Sequence, residues 1–212
     1  MQQMGVAIGR DKFFDLLSKH ELLVKRRKKY VKTTQSWHYY HKYKNHLKQK
    51  QLMSANQAYV SDITYLRTRK GFVYLFLQTD AYSRMITGWH LSESLGIEGA
   101  VAALKMSLRQ CPDPFGTIHH SDRGIQYCCK EYVALLKKHN IIISMTEENH
   151  CYENAVAERV NGILKQEFLL DEVFVDKASA LTAVSEAIFT YNTRRPHWSL
   201  KLCTPLEVHM VA

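Results

Sequence analysis

The chain has 212 residues, 46% hydrophobic and 23% charged, with 29 Lys and Arg against 20 Asp and Glu for a formal charge of +9. That length suits one good-sized core with an appendage, and 5 cysteines with no CxxC pair exclude a complete disulfide framework and a zinc ribbon. No apolar run approaches the ~20 residues of a membrane helix, and Met1 is followed by polar residues rather than a signal segment, so a soluble, cytoplasmic protein is expected.

The charge is unevenly placed. Met1 to Leu52 holds 13 Lys and Arg against 3 Asp and Glu, and the remainder holds 16 against 17. Basicity gathered in one quarter of a chain points to a polyanion partner. It suggests a basic, mainly helical DNA-binding arm over residues 1–50 and a core over residues 51–212. Within the arm, Phe13, Leu16, Leu17, Leu22 and Leu23 predict a helix from Gly9 to Val24. Lys25, Arg26, Arg27, Lys28 and Lys29 follow, and Trp37 to Lys44 then interleaves cations with aromatics as nucleic-acid surfaces do. A solvated linker is the alternative reading of that stretch.

From Ala58 the apolar period changes to two, with Tyr59, Ser61, Ile63 and Tyr65 on one face and Val60, Asp62, Thr64 and Leu66 on the other. Asp62 is thus a carboxylate inside a strand, and it needs a cation, a hydrogen bond or a proton. Arg67 to Gly71 reads as a hairpin loop, Phe72 to Leu77 as a strand buried on both faces, and Met85 to Leu91 as a third strand. Ile97, Val101, Leu104 and Leu108 mark a helix, and Thr117 to His120 a short strand with Asp122 at its exit, where open α/β sheets gather ligand-binding groups. A helix from Glu131 to Asn140 and a strand from Ile141 to Met145 follow.

Tyr152 to Glu167 predicts the helix that organises the rest. Asn154, Glu158, Asn161 and Lys165 fall in one polar stripe, with Val156, Val160, Ile163 and Leu164 opposite. A last helix is expected from about Lys177 to Tyr191 with Asp176 as its N-cap. His119, His120, Cys128, Cys129, Trp89 and Trp198 read as packing or hydrogen-bonded residues. Arg194, Arg195 and His197 read equally as phosphate contacts or as caps of that helix.

Three acids on a strand, a strand exit and a facing helix suit a site for hard divalent cations, which take carboxylate oxygens and counter the charge that builds up on a reacting phosphodiester. The spacing Asp62, Asp122, 35 intervening residues, Glu158 is that of polynucleotidyl transferases. SDITYL, DAYSRMITGWHL, HHSDRGIQY, NAVAERVNGILKQE and YNTRRPHWSL with Thr204 and Pro205 resemble the catalytic subunit of bacterial insertion-sequence transposases of the two-reading-frame group, related to retroviral integrases. The resemblance runs from Met53 to the end, and IGRDKFF and KTTQSWH are similar to that subunit's N-terminal region.

The resemblance implies an α/β, ribonuclease-H-like integrase core with a mixed five-stranded sheet flanked by helices, acting in DNA cleavage and strand transfer. It makes Asp62, Asp122 and Glu158 the catalytic, metal-binding triad for two Mg2+ or Mn2+ ions, with Lys165 facing the DNA. Asn154, Arg123, Lys25 to Lys29, Arg194 and Arg195 are the further expected DNA contacts. Expected partners are double-stranded DNA, further copies of the chain and a companion helix-turn-helix protein from an upstream frame, at the nucleoid. That subunit's N-terminal region usually begins earlier than Met1 does here, which suggests a truncated gene or a start codon placed downstream. The rival reading is a catalytically silent DNA-binding remnant, and a plain metal nuclease of the same fold is a third.

Overall fold

A computed structural model describes residues 8–23, 38–48, 50–111, 113–147 and 154–211. The chain divides into two compact units, Met1–Val31 and Lys32–Ala212. In the first unit, α1 (Arg10–Lys19) is shorter than the Gly9 to Val24 expected and buries none of its side chains. It stops where Glu21 adopts a left-handed backbone at φ 55°. The basic run Lys25, Arg26, Arg27, Lys28 and Lys29 lies outside the described residues.

The second unit is built on β1 (Ala58–Thr68), β2 (Gly71–Asp80) and β3 (Ile86–Ser92), an antiparallel meander. After α2 (Ile97–Gln110), β4 (Ile118–Ser121) lies parallel to β1 on its other side; α3 (Ile125–Cys128) and α4 (Lys130–Lys138) lead to β5 (Ile142–Met145), parallel to β4. The sheet order is β3-β2-β1-β4-β5. Helix α5 (Ala155–Gln166), β6 (Val173–Phe174), α6 (Lys177–Thr193), a 3-10 turn (Trp198–Leu200) and α7 (Pro205–Val211) complete the order. The hairpin turn between β1 and β2 is only Arg69 and Lys70, shorter than the loop expected.

The sheet has a sixth strand where five were expected. Only Ala58 to Ser61 of the long β1 pairs with β4, so the far half of that edge is open, and β6 covers Arg67 and Thr68 there. Two residues carry no period for a sequence to display. Asp176 caps α6 as expected, accepting from the Ser179 amide while Ser179 Oγ reaches back in a capping box.

Helices cover both faces of the sheet. On one, Leu66, Val73, Leu75, Leu77 and Leu91 pack against Val160, Ile163 and Leu164 of α5 and Val184, Ile188 and Tyr191 of α6. On the other, Phe76 and Met145 meet Leu104 of α2 and Tyr127, Tyr132 and Leu136 of α3 and α4. Residues 73–77 of β2 thus alternate between two cores, as a central strand should, while Phe72 is exposed and stacks edge-on against Tyr65 at 5.3 Å.

Gly88 lets β3 approach α2 closely: a Cβ there would overlap the Ala103 carbonyl oxygen and stand 3.0 Å from the Ser107 amide nitrogen, both backbone atoms. Gly88→Ala is expected to destabilise the core by about 1–3 kcal/mol through overpacking. A thermal melt should register ~2–4 °C per kcal/mol at this chain length.

Candidate active site

The parallel register of β1 and β4 sets Ser61 opposite Ser121, so Asp62 is the next residue in β1 and Asp122 the first residue past the end of β4. Asp62 is half-buried. Its Oδ1 accepts its neighbour's N–H, from Ile63 at 2.9 Å, and its Oδ2 accepts from Asn161 Nδ2 at 2.6 Å. Asp122 Oδ1 accepts the Gly124 N–H at 2.9 Å, closing the bend at the strand exit.

Helix α5 packs along β1 at Asp62. Asn154, its N-cap residue, donates to the Ser61 carbonyl at 3.3 Å, and Asn161 donates to Asp62, so two asparagines about two turns apart pin the helix along β1. Glu158 stands between them, four residues past Asn154 and three before Asn161, hence on the same face and exposed. Beyond Asn161, one turn on, Lys165 lies over the Tyr65 ring at 4.3 Å. Two members of the polar stripe thus spend their amide groups on β1, while Glu158 between them stays exposed.

The electrostatics follow from that crowding. Burial, then the charge of Asp122, push the Asp62 carboxyl up to about 7; Glu158 adds to the rise, against the Ile63 and Asn161 hydrogen bonds that hold it down. Burial lowers the Lys165 ammonium, while Asp171 and Asp62 favour its charge. Among the described residues, no three His, Cys, Asp or Glu side chains form a ready metal-holding cluster. The charges of Asp122 and Glu158 both oppose ionisation of Asp62.

Other expected site residues have occupations of their own. Arg123 Nε donates to the Thr146 carbonyl at 2.8 Å, tying the loop after β4 to the end of β5. Arg195 grips Glu167 with Nε at 2.6 Å and Nη2 at 2.8 Å, joining the ends of α5 and α6, and Arg194 lies over the Phe189 ring at 5.8 Å. Asn154 is buried against Ser61. Asn161 is the site residue that the sequence alone does not single out: it belongs to the stripe with no evident role, and its spacing of three from Glu158 is the one signal that points to it.

Around the site, His119 Nε2 stands 2.8 Å from both Ser61 Oγ and Tyr132 Oη. His120 Nδ1 lies 2.9 Å from Ser144 Oγ. Cys128 Sγ packs 3.7 Å from the Met145 sulfur, and burial pushes its thiol up to about 11, so it is no nucleophile. Trp89 packs on the core as expected, but Trp198 is 88% exposed. His197 takes the inward place instead, its ring edge-on to Tyr191 at 5.0 Å.

Burial holds His119 down to about 3 and His197 to about 4, below the ordinary imidazole value, so both are neutral in the fold. The unfolded chain binds protons first. Stability from these two rings is therefore complete above about pH 6.5 and lost as pH falls toward about 4 for His197 and about 3 for His119. The urea midpoint should drop across that window, and His197→Phe, which keeps a ring against Tyr191, should flatten part of the drop.

The fold and the paired aspartates define a ribonuclease-H-like integrase core. Two integrase core domain families match the chain, over residues 53–151 and 139–205. A 31 kDa protein of insertion element IS600 from Shigella sonnei is 34% identical over 207 residues, covering 97% of this chain and 76% of its own length. The transposase InsF for insertion sequence IS3fB of Escherichia coli K12 is 39% identical over 143 residues, covering 67% of this chain. That match spans 50% of the InsF length. Among solved structures, the HTLV-2 integrase catalytic core domain in complex with magnesium aligns over 75% of this chain and 99% of its own, with a TM-score of 0.60 at 18% identity. A chain of a simian T-cell lymphotropic virus intasome aligns over 81% of this chain and 59% of its own, with a TM-score of 0.64 at 17% identity. The chain belongs to the integrase-core transposases of bacterial insertion elements, proteins of DNA transposition and integration. Among the described residues, no helix is long and apolar enough to cross a membrane.

Proposed function

We propose that the chain cuts a phosphodiester at the end of a mobile DNA element and then joins the freed 3′-hydroxyl to another DNA strand, with Asp62, Asp122 and Glu158 as the catalytic carboxylates. The observation that supports this reading is the pinning of α5 along β1 by Asn154 and Asn161, with Glu158 on the helix face between them and its charge, like that of Asp122, acting on Asp62. The donor set fits Mg2+ or Mn2+: all three groups offer hard oxygens, and their mutual repulsion is what a divalent cation relieves. Two such ions, when bound, would activate the attacking oxygen and stabilise the leaving one. The chain's other residues are left with simple tasks. Asn161 and the Ile63 N–H fix the rotation of the Asp62 carboxylate, and Lys165, steadied on Tyr65, offers a cation to the DNA backbone beside it. Water attacks phosphorus in the first step and the 3′-oxygen attacks in the second, so no bond to the protein forms. Because two element ends must be joined, the working form is an oligomer on double-stranded DNA.

Metal and cleavage test this together. At pH 7.5, Mg2+ or Mn2+ should raise the melting temperature in proportion to the logarithm of its concentration above Kd, and Asp62→Asn should lose that rise. A labelled duplex carrying the element end should be cut with Mg2+ or Mn2+ but not with Ca2+, whose looser coordination suits the reaction poorly. Cleavage that persists in EDTA would overturn the assignment.

A further inference from the structure

The stretch from His38 to Lys50 was expected to belong to the arm, and it is instead bound to the edge of the catalytic sheet. Met145 N–H, at the end of β5, donates to the Lys44 carbonyl at 3.3 Å, and the His46 N–H donates to Ser144 Oγ at 2.8 Å. Asn45 Oδ1 accepts the N–H groups of Leu47 at 2.9 Å and Lys48 at 3.1 Å, turning the chain there. Tyr43 packs against the core of Phe76, Tyr132 and Met145, and Leu47 against that of Ala58, Val60 and Ile118. A ring nitrogen of His38 lies 2.8 Å from the carbonyl oxygen of Arg123, the residue after Asp122.

The two sides of this strap differ in kind. Tyr43, Asn45 and Leu47 are half-buried, and the residues between and beyond them, Lys42, Lys44, His46, Lys48 and Lys50, are all exposed. Near its turn, Asn45, His46, Lys48, Lys50 and Glu147 line an open cleft of about 670 Å3 with no apolar side chain in it. Glu147 is the one anion of that lining, 3.5 Å from Lys48 Nζ. Both partners are exposed, and such a pair holds too weakly to keep Lys48 from a phosphate.

We propose that this strap is a phosphate rail fixed to the catalytic unit, in which Lys42, Lys44, Lys48 and Lys50 contact the backbone of duplex DNA leading to the Asp122 side of the site. The inference rests on the reading of that site as one that acts on DNA. In the extended part, side chains two residues apart are about 6.6 Å apart, close to the spacing of successive phosphates along a strand. The contacts are with the backbone, so they add affinity and register without sequence preference. A cation held by β5 also cannot swing away as one on a free tail would, so less ordering entropy opposes binding.

The test uses the full chain in EDTA, where no cleavage is needed, and a labelled duplex of arbitrary sequence. For Lys42→Gln, Lys44→Gln, Lys48→Gln and Lys50→Gln combined, the slope of log K against log salt should fall in magnitude by about 3 to 4 relative to wild type, at ~0.9 for each phosphate that is no longer neutralised. The melting temperature should stay close to wild type because all four side chains are exposed. If the combined variant does not fold, each single change should lower the slope by about 0.9. An unchanged slope in folded protein overturns the rail and leaves the lysines as a solvated guard of the β5 edge. A change seen on single-stranded but not duplex DNA overturns the choice of partner. A protein that keeps the lysine-dependent slope and never cuts DNA refutes the catalytic reading and spares this one.

Discussion

Glu158→Gln should reduce strand cleavage by about 10³-fold or more while the protein folds normally. The side chain is exposed in the first turn of α5, and the packing that holds the helix comes from Ala157, Val160, Ile163 and Leu164 with the hydrogen bonds of Asn154 and Asn161. On the proposed assignment, Gln keeps the size and removes a charged ligand oxygen. Since such a ligand set supplies several kcal/mol to the transition state, and each 1.36 kcal/mol is about tenfold in rate, the loss should be large. Asp62→Asn should be equally inactive, and it should reveal what the site costs the fold. With the Asp62 carboxyl raised to about 7, the folded state holds its proton more tightly than the unfolded chain does. Stability therefore falls as pH rises from the ordinary value near 4 to about 7, and metal-free protein at pH 7.5 bears the full penalty. Asn carries no charge to bury, so the metal-free variant should melt higher than wild type at pH 7.5 and lose that advantage at pH 5. Near-normal cleavage by Glu158→Gln, or a metal-free Asp62→Asn that melts lower at pH 7.5, would sink the assignment.

The parts of this architecture that sequence made legible are those whose cause is local. The alternation in Ala58 to Leu66 follows from a pleated strand between two helical layers, and the Asp176 cap from a side chain that satisfies its own helix. The aspartates are legible for the same reason, Asp62 as a carboxylate inside an otherwise apolar strand and Asp122 at the exit of a short one. What stayed hidden depends on partners distant in sequence. Val173 and Phe174 form a strand only because β1 outruns β4. Asn161 acquires its role from Asp62, 99 residues away. Trp198 looked like a packing residue, yet His197 fills the place against Tyr191, which is a matter of which way one short turn rotates. Arg195 carries both of its possible readings in equal measure until Glu167, the carboxylate that holds it, is brought alongside by the fold.

The strap was the largest of these surprises, and truncation should show it directly. A chain beginning at Gln51, the boundary that composition suggests, loses Tyr43 and Leu47 from the cores they pack on, together with the bonds His46 N–H to Ser144 Oγ and Met145 N–H to the Lys44 carbonyl. Half-burial of two such side chains is worth roughly 1 kcal/mol each, and each hydrogen bond about 1 kcal/mol, so about 4 kcal/mol should go. Against a total of about 5–15 kcal/mol for a natural domain, that brings the fold near its limit, and it also uncovers the outer edge of β5 to pairing with other chains. A chain beginning at Lys32 keeps every one of these interactions. Urea titration should place the midpoint of the Gln51 chain far below that of the Lys32 chain, and light scattering should find the former aggregating at concentrations where the latter does not. Equal midpoints would mean that residues 38–48 ride on the sheet without supporting it, and the division of the molecule at residue 50 would be restored.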